Sequence, residues 1–304
     1  MNGHGDDAAG RLCLGTAQLG LDYGIANTAG ALAEPAAEVL LEAAWQGGIR
    51  WFDTARAYGE AEARIGRWLR ARGRAPHLVT KLAPVESAAG VAAGLDAATA
   101  ALGRRPDIVL AHRGSDITRP AVAGALAEAV AAGRISAFGA SVYSPDEARR
   151  ALAVAGIGAL QLPLSLADRR ALDQGVIDQA CARGVRLLAR SVFLQGALVM
   201  PAAALPEHLA ALRAPLSRLA RIADEAGCTV AALALAGVLP VAAVERVVIG
   251  AERPEQIAAD LAAAARPPAP DAVEAAIAAL AALPLAVLEP PRWRQGAPAA
   301  RGFG

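Results

Sequence analysis

The amino-acid sequence predicts an α/β protein that folds as a single-domain (β/α)8 TIM barrel. Short runs of β-favouring residues alternate eight times with alanine-rich segments of helical length over 304 residues. Hydrophobic residues make up 55% of the chain, which is enough to build one large core. The alternative is an open doubly wound sheet, but Gly15 and Gly20 after the first strand lack the spacing of a nucleotide-binding glycine fingerprint.

The predicted strands are short and rich in β-branched and large apolar residues. They cover residues 12–14, 50–53, 78–81, 108–111, 135–140, 159–162, 185–189 and 246–249. Residues 11–291 are expected to form the barrel. A flexible N-terminal tail at 1–10 and a flexible C-terminal tail at 292–304 are expected to flank it, because neither shows periodicity.

Helices are predicted between the strands. Segments 34–46, 60–72, 144–156 and 216–227 have helical periodicity, and several open with Pro, Ser or Glu and close near Gly. The uncharged stretch 226–244 is long, but Gly and Pro interrupt it and alanine dominates it. It therefore predicts a buried helix and not a membrane span.

The net charge and the cysteine content indicate which kinds of ligand or partner the protein is expected to bind. The net charge is +1 and no Lys/Arg run exceeds two residues, which favours a small-molecule ligand over nucleic acid or a membrane. Cys13, Cys181 and Cys228 are far apart and lack metal-ligand spacing, so no metal site is expected. Reduced cysteines and a polar N-terminus without signal-peptide character predict a cytoplasmic protein.

Lys81 is the one lysine in a chain with 30 Lys and Arg residues. Arginine can replace a surface lysine, but its guanidinium stays protonated, whereas the proton affinity of an ammonium responds to its surroundings. A lone lysine is therefore a candidate for chemistry, against the simpler reading that an arginine-rich composition left one lysine by chance.

Polar or small residues follow the predicted strands at their carboxyl ends, where the working residues of a parallel barrel lie. In strand order they are Asp53, Lys81, His112, Ser141, Gln161, Arg190 and Gly250. Tyr58 comes five residues after Asp53, close enough to fold back over the rim. The sequence therefore predicts a functional site at this end of the barrel.

Four of these residues could act together in a proton transfer. They are Asp53, Tyr58, Lys81 and His112. A nearby Lys81 ammonium would lower the pKa of the Tyr58 phenol and make it a better proton donor, and Asp53 would hold the ammonium in place. His112 could orient a carbonyl oxygen or complete a proton relay. A hydride donor would have to be a cofactor, because no side chain supplies hydride.

The chain resembles the aldo/keto reductases, which are NAD(P)H-dependent barrel enzymes with an Asp, Tyr, Lys, His tetrad. The matching motifs are GTAQLG at 15–20, WFDTARAYGEAE at 51–62, VTK at 79–81, AHR at 111–113, GRISAFGAS at 133–141, ALQLPLSLADRR at 159–170 and VVIGAERPEQI at 247–257. The resemblance implies reversible reduction of an aldehyde or ketone, including sugar-derived carbonyls, to an alcohol. Tyr58 would be the general acid/base, Lys81 and Asp53 would tune it, and His112 would set carbonyl orientation.

The resemblance also implies NADP or NAD as cofactor. The implied contacts are Gly15, Thr16, Ala17, Asp53, Ser141, Gln161, Arg190, Ser191, Gly250, Arg253, Gln256 and Asp260. Two positions depart from the family pattern, with Val142 in place of a common Asn and Arg190 in place of a common aromatic residue. The loop at 250–260 holds a single cation, Arg253, beside Glu252, which predicts weak discrimination between NADPH and NADH.

A second function remains open at the level of sequence. The potassium-channel β subunits resemble the same family and act largely through partners, so the alternative is a cofactor-binding regulatory barrel. The complete tetrad favours the enzyme.

Overall fold

The computed structural model describes residues 8–28, 30–290 and 292–293. Within them, parallel strands form a closed barrel in the order β1 to β8, and β8 closes on β1 through pairs such as Leu14 with Ile249. The strands are β1 (Leu12–Gly15), β2 (Trp51–Asp53), β3 (His77–Leu82), β4 (Ile108–Ala111), β5 (Ala137–Ser141), β6 (Ala159–Pro163), β7 (Arg186–Arg190) and β8 (Val244–Gly250). The predicted (β/α)8 TIM barrel is confirmed.

Helices follow the strands and cover the outside of the barrel. They are α1 (Glu34–Gln46), α2 (Ala61–Arg72), α3 (Ala88–Leu102), α4 (Pro120–Ala131), α5 (Pro145–Leu152), α6 (Arg170–Asp173), α7 (Val176–Ala182), α8 (Arg213–Glu225), α9 (Val230–Ala236), α10 (Pro254–Ala265), α11 (Pro270–Leu280) and α12 (Leu285–Leu288). Residues Ala8–Arg11 form a 3-10 turn before β1. Most of the two predicted tails, at 1–7 and 294–304, falls outside the described residues.

Side-chain caps fix two helix starts, of which the sequence indicated the one at Ser144. The Ser144 hydroxyl accepts a hydrogen bond from the Glu147 N–H at 3.2 Å before α5. The Thr229 hydroxyl accepts one from the Ala232 N–H at 3.1 Å before α9. The buried helix expected in 226–244 is therefore present but shorter, since it begins after this cap and ends at Gly237. In the described part of the chain, no helix is long and apolar enough to span a bilayer.

The core has two layers. The larger one lies between the strands and the surrounding helices, and a smaller one fills the barrel interior. The interior layer consists of Cys13, Trp51, Val79, Ile108, Leu110, Ala159 and Leu188. The guanidinium carbons of Arg186 and Arg246 lie 4.9 and 4.7 Å from the centroid of the Trp51 ring. This packing fills the lower part of the barrel and leaves the carboxyl ends of the strands for a site.

Gly20 lets the segments that follow β1 and β2 meet. A Cβ at this position would collide with the carbonyl oxygen of Tyr58 and press on the backbone nitrogens of Glu60 and Ala61. The absence of a side chain therefore brings the loop that carries Tyr58 against the turn after β1.

Candidate active site

A cavity of about 310 Å³ opens at the carboxyl ends of the strands, as the barrel architecture predicts. Most of the residues predicted for the site line it: Gly15, Thr16, Ala17, Asp53, Tyr58, Gln161, Arg190, Ser191, Gly250, Gln256 and Asp260. Four predicted residues lie outside its wall. Lys81 is buried behind Tyr58 and Asp53, His112 packs against Tyr58, and Ser141 lies behind Gln161. The fourth, Arg253, is exposed.

Lys81 uses its three ammonium protons on three acceptors. Its Nζ donates to Oδ2 of Asp53 at 2.6 Å, to the carbonyl oxygen of Thr54 at 3.0 Å and to the Tyr58 hydroxyl oxygen at 3.5 Å. The side chain is 1% exposed, so these contacts replace water around the charge. The ammonium of Lys81 is thus fixed between a carboxylate and a phenol. The one lysine of the chain therefore lies at a buried position where its neighbours restrict the size and direction of the side chain.

Asp53 is held from both sides. Its Oδ1 accepts a hydrogen bond from the Gln161 amide at 2.8 Å, while Oδ2 accepts from Lys81. The Ser141 hydroxyl donates to Oε1 of Gln161 at 3.4 Å and so helps to orient that amide. The Thr16 hydroxyl donates to the backbone carbonyl of Asp53 at 2.9 Å. Side chains from β3 and β6 therefore hold the carboxylate at the end of β2, and Ser141 of β5 supports one of them.

The Tyr58 phenol differs from the sequence-based expectation. In the ligand-free protein, burial and then the Asp53 carboxylate raise its pKa, although Arg190 acts in the opposite direction. The expected lowering of this pKa by Lys81 does not dominate, because burial of the phenol is the largest influence and the ammonium lies closer to Asp53 than to the hydroxyl. The phenol consequently stays protonated at neutral pH and can donate a proton.

His112 lies edge-on to Tyr58, with ring centroids 5.8 Å apart and planes at 84°. Burial, and then the charges of Lys81 and Arg190, lower the pKa of its imidazole to about 3. The ring is therefore neutral at physiological pH, so one nitrogen carries a proton and the other does not. A neutral imidazole can donate a hydrogen bond to a carbonyl oxygen, but it is not a source of an easily lost proton.

Arg190 is held by polar contacts rather than left free over the cavity. Its guanidinium donates to the carbonyl oxygen of Val142 at 2.9 Å and to the Ser191 hydroxyl at 3.0 Å. The guanidinium carbon also lies 4.2 Å from the centroid of the Tyr143 ring. Val142, which replaces a common Asn, therefore contributes its backbone oxygen to the placement of Arg190.

Sequence reasoning missed several residues of this site. Tyr23, Gln18 and Glu252 line the cavity, and Tyr143 holds Arg190. A further buried layer supports β3, where Glu62 accepts a hydrogen bond from the Thr80 hydroxyl at 2.6 Å and pairs with Arg56. Most of these residues lie on loops, where hydrophobic periodicity carries no information. One signal was available, since the chain has three tyrosines and all of them surround this site.

The outer wall of the cavity is a pair of loops in contact. The Ile25 N–H donates to the carbonyl oxygen of Gln195 at 3.0 Å, and a Cβ on Gly196 would collide with Ala26. Ser191, Leu194 and Gln195 have φ values of 61°, 49° and 54°, which non-glycine residues seldom adopt. Such strain is concentrated at ligand-binding segments in proteins, and here it borders the cavity.

Comparisons with known proteins agree with the sequence motifs. The model of the aldo/keto reductase family matches residues 11–282. A candidate aldo-keto reductase from Pseudomonas aeruginosa is similar in structure, with a TM-score of 0.65 and 24% identity over 84% of this chain and 89% of that one. The holo form of an aldo-keto reductase from Bacillus halodurans gives a TM-score of 0.72 and 23% identity over 89% and 92% of the two chains.

No curated protein matches the chain at a significant level. In the described residues, no group of three or more His, Cys, Asp or Glu side chains could hold a metal ion.

The structural likenesses are under 25% identical and concern the fold alone, whereas the family match spans most of the sequence. The chain belongs to the aldo/keto reductase family, and its family and fold support an oxidoreductase that reduces carbonyl groups.

Proposed function

We propose that the protein reversibly reduces an aldehyde or ketone to an alcohol with hydride from NAD(P)H, and that Tyr58 is the proton donor. The observation that carries the proposal is the hydrogen-bonded array of Asp53, Lys81 and Tyr58 at the wall of the cavity. We propose the cytoplasm as its location, on the cysteine pattern described above.

The residues around the cavity fit a nicotinamide dinucleotide. Gln18 and Asp260 are buried polar side chains that face the cavity without a hydrogen-bond partner among the described residues, so each can bind a ligand. A Cβ on Gly250 would lie 2.8 Å from the Gln18 amide, so glycine here keeps space at the wall. Gln161 and Ser191 add polar groups, and the cofactor would be held between the ends of β1, β6, β7 and β8.

A bound cofactor would supply hydride to the carbonyl carbon. Tyr58 gives its phenolic proton to the carbonyl oxygen, so the phenol O–H bond breaks as the alcohol O–H bond forms. The resulting phenolate lies beside the Lys81 ammonium, which stabilises the negative charge that the proton transfer creates. In the reverse direction the same phenolate accepts the alcohol proton.

Asp53 and His112 have supporting roles in this scheme. Asp53 fixes the position of the ammonium and balances its charge inside the protein. The neutral imidazole of His112 packs against Tyr58, where it can donate a hydrogen bond to the same carbonyl oxygen and so set its direction. Tyr58 and His112 are then two hydrogen-bond donors that are already in place before the substrate binds. Fixing such donors in advance is the main contribution that a site of this kind makes to the rate.

The test is a reductase assay with the purified protein. NADH and NADPH are supplied separately, and a panel of aldehydes, ketones and sugar-derived carbonyls is screened by loss of nicotinamide absorbance. Turnover of at least one carbonyl supports the proposal. Binding of a dinucleotide with no turnover across the panel would favour the regulatory barrel instead.

A further inference from the structure

Two parts of the cavity lining differ in chemistry. Asp53 and Tyr58 line the cavity at the end of β2 and after it, and a second group of lining residues follows β8 around the start of α10. Under the proposed function, on which this inference rests, the hydride-donating ring must lie next to the carbonyl at Tyr58. The rest of the dinucleotide would then extend along the same cavity, with its adenosine end towards α10.

Asp260 is an unusual residue to find at that end. Its side chain projects from α10 to the cavity wall, and the residue is only 6% exposed. No hydrogen bond or ion pair to it occurs among the described residues, and burial raises the pKa of its carboxyl to about 7. An unpartnered buried carboxyl destabilises a fold unless a ligand pairs with it. The carboxyl is thus positioned to accept hydrogen bonds from a bound molecule.

Glu252 adds a second carboxyl to the same wall. Its neighbour Arg253, the single cation of this loop, is exposed and does not line the cavity. Among the lining residues, Arg190 is the cation, and its guanidinium is bound to Val142 and Ser191 at the end of β7. The lining at the adenosine end therefore presents two carboxyls, and the nearby cation Arg253, which acts to lower the pKa of Glu252, is exposed outside that lining.

The start of α10 offers few free donors to a phosphate. Oε1 of Gln256 accepts the N–H of Glu252 at 2.7 Å and the N–H of Arg253 at 3.0 Å. Pro254, the first residue of the helix, has no N–H, and the Gln256 N–H is bound to the carbonyl oxygen of Arg253 at 3.1 Å. A helix N-terminus normally favours anions through such N–H groups, and here the protein itself occupies those of Glu252, Arg253 and Gln256.

We propose that Asp260 and Glu252 make the adenosine end of the cavity selective for NADH over NADPH. The two cofactors differ only at the adenosine 2′ position, which carries a hydroxyl in NADH and a phosphate in NADPH. A 2′-phosphate brings a charge of about −1.5 to −2, which carboxylates in a partly dry cavity repel. The ribose hydroxyl and the adenine amino group are donors that a carboxylate accepts, as acidic residues do in other dinucleotide sites. This selectivity is stronger than the weak discrimination that the loop composition alone predicted.

The experiment measures the dissociation constants of NADH and NADPH by calorimetry at about pH 8, where a carboxyl with a pKa near 7 is ionised. The variants are Asp260→Asn, Glu252→Gln and the double variant. Glu255→Gln is the matched control, because it removes an exposed carboxylate from the same helix. The wild type and the control should bind NADH at least about tenfold more tightly than NADPH. The double variant should bring the two constants to within a few-fold of each other.

The outcomes separate this inference from the proposed function. Equal affinities in the wild type, or tighter binding of NADPH, would overturn the selectivity. A preference for NADH that survives in the double variant would remove Asp260 and Glu252 from their role. Selective NADH binding without reduction of any carbonyl would support the selectivity and count against the reductase. Failure to bind either dinucleotide would overturn both.

Discussion

The ammonium nitrogen of Lys81 lies 2.6 Å from Oδ2 of Asp53, and the two side chains are 1% and 5% exposed. Removing either partner from such a pair leaves a buried charge without compensation, whereas removing both does not. The Lys81–Asp53 pair therefore affects both the stability of the barrel and the proposed reaction at Tyr58. Mutations can separate its contribution to stability from its contribution to activity.

Lys81→Met should destabilise the protein by about 3 to 5 kcal/mol and abolish most reductase activity, because Asp53 is left buried and unpaired. The double variant Lys81→Met with Asp53→Asn should recover part of the free energy of unfolding without recovering activity. Urea unfolding and turnover, measured on the same samples, check this. Recovery of activity in the double variant would show that the ammonium has no chemical role.

Lys81→Arg keeps the charge but replaces a compact ammonium with a planar fork between Asp53 and Tyr58. We expect this variant to fold, to bind the dinucleotide within a few-fold of the wild-type affinity, and to lose most of its turnover. Steady-state kinetics with calorimetric cofactor binding measure the two effects separately. Turnover at the wild-type rate would mean that any buried cation suffices at this position.

His112 should not titrate in an ordinary assay, because its pKa is lowered to about 3. At saturating cofactor, kcat should therefore show no ionisation of this residue from about pH 5 to about pH 8, the range in which an unperturbed histidine titrates. His112→Gln retains an N–H donor and should keep more activity than His112→Ala. A kcat limb near pH 6.5 that disappears in His112→Gln would show that the imidazole is protonated during turnover.

Asp260→Asn should stabilise the ligand-free protein at alkaline pH. The folded-state pKa of about 7 lies above the ordinary value of 3.8, so the folded state holds its proton more tightly than the unfolded state does. The stability of the wild type therefore falls as pH rises from the unfolded value to the folded one, and the loss is complete above pH 7. Melting temperatures should show a gain for Asp260→Asn at pH 8 that shrinks towards pH 4. A gain that is the same at both pH values would show that the carboxyl is not held in its neutral form.

Gly20→Ala should lower activity as well as stability, since the new Cβ would displace the Tyr58 backbone. The matched control is Gly124→Ala on the exposed face of α4, where a Cβ meets no atom within 4 Å. The control should be neutral or stabilising, because alanine is favoured over glycine inside a helix by about 0.5 to 1 kcal/mol. Wild-type kinetics in Gly20→Ala would show that the loop can shift without moving the phenol.

The sequence predicted strands better than loops for a physical reason. A barrel strand is a short apolar run with a polar residue at its end, so Asp53, Lys81 and Gln161 were identified from position alone. Strand limits were less certain, and β8 begins at Val244 rather than at the predicted 246, beside a register shift at Leu187 and Leu188 in β7.

Loop residues carry no such pattern. Tyr23, Glu252 and Gln195 reach the cavity through turns and left-handed backbone conformations that periodicity does not specify. The direction of the pKa shift at Tyr58 was likewise beyond the sequence, because it depends on burial and on which neighbour of Lys81 lies closest.

The central claim is that the Tyr58 hydroxyl donates the proton, and Tyr58→Phe tests it most directly because it removes that hydroxyl and little else. Dinucleotide affinity should stay within a few-fold of the wild type while kcat falls by at least about 10²-fold. Tyr23→Phe removes a hydroxyl from the same cavity wall that is not among the hydrogen-bond partners of the Lys81 ammonium, and it should lose far less. A Tyr58→Phe protein that turns over within a few-fold of the wild-type rate would contradict the account.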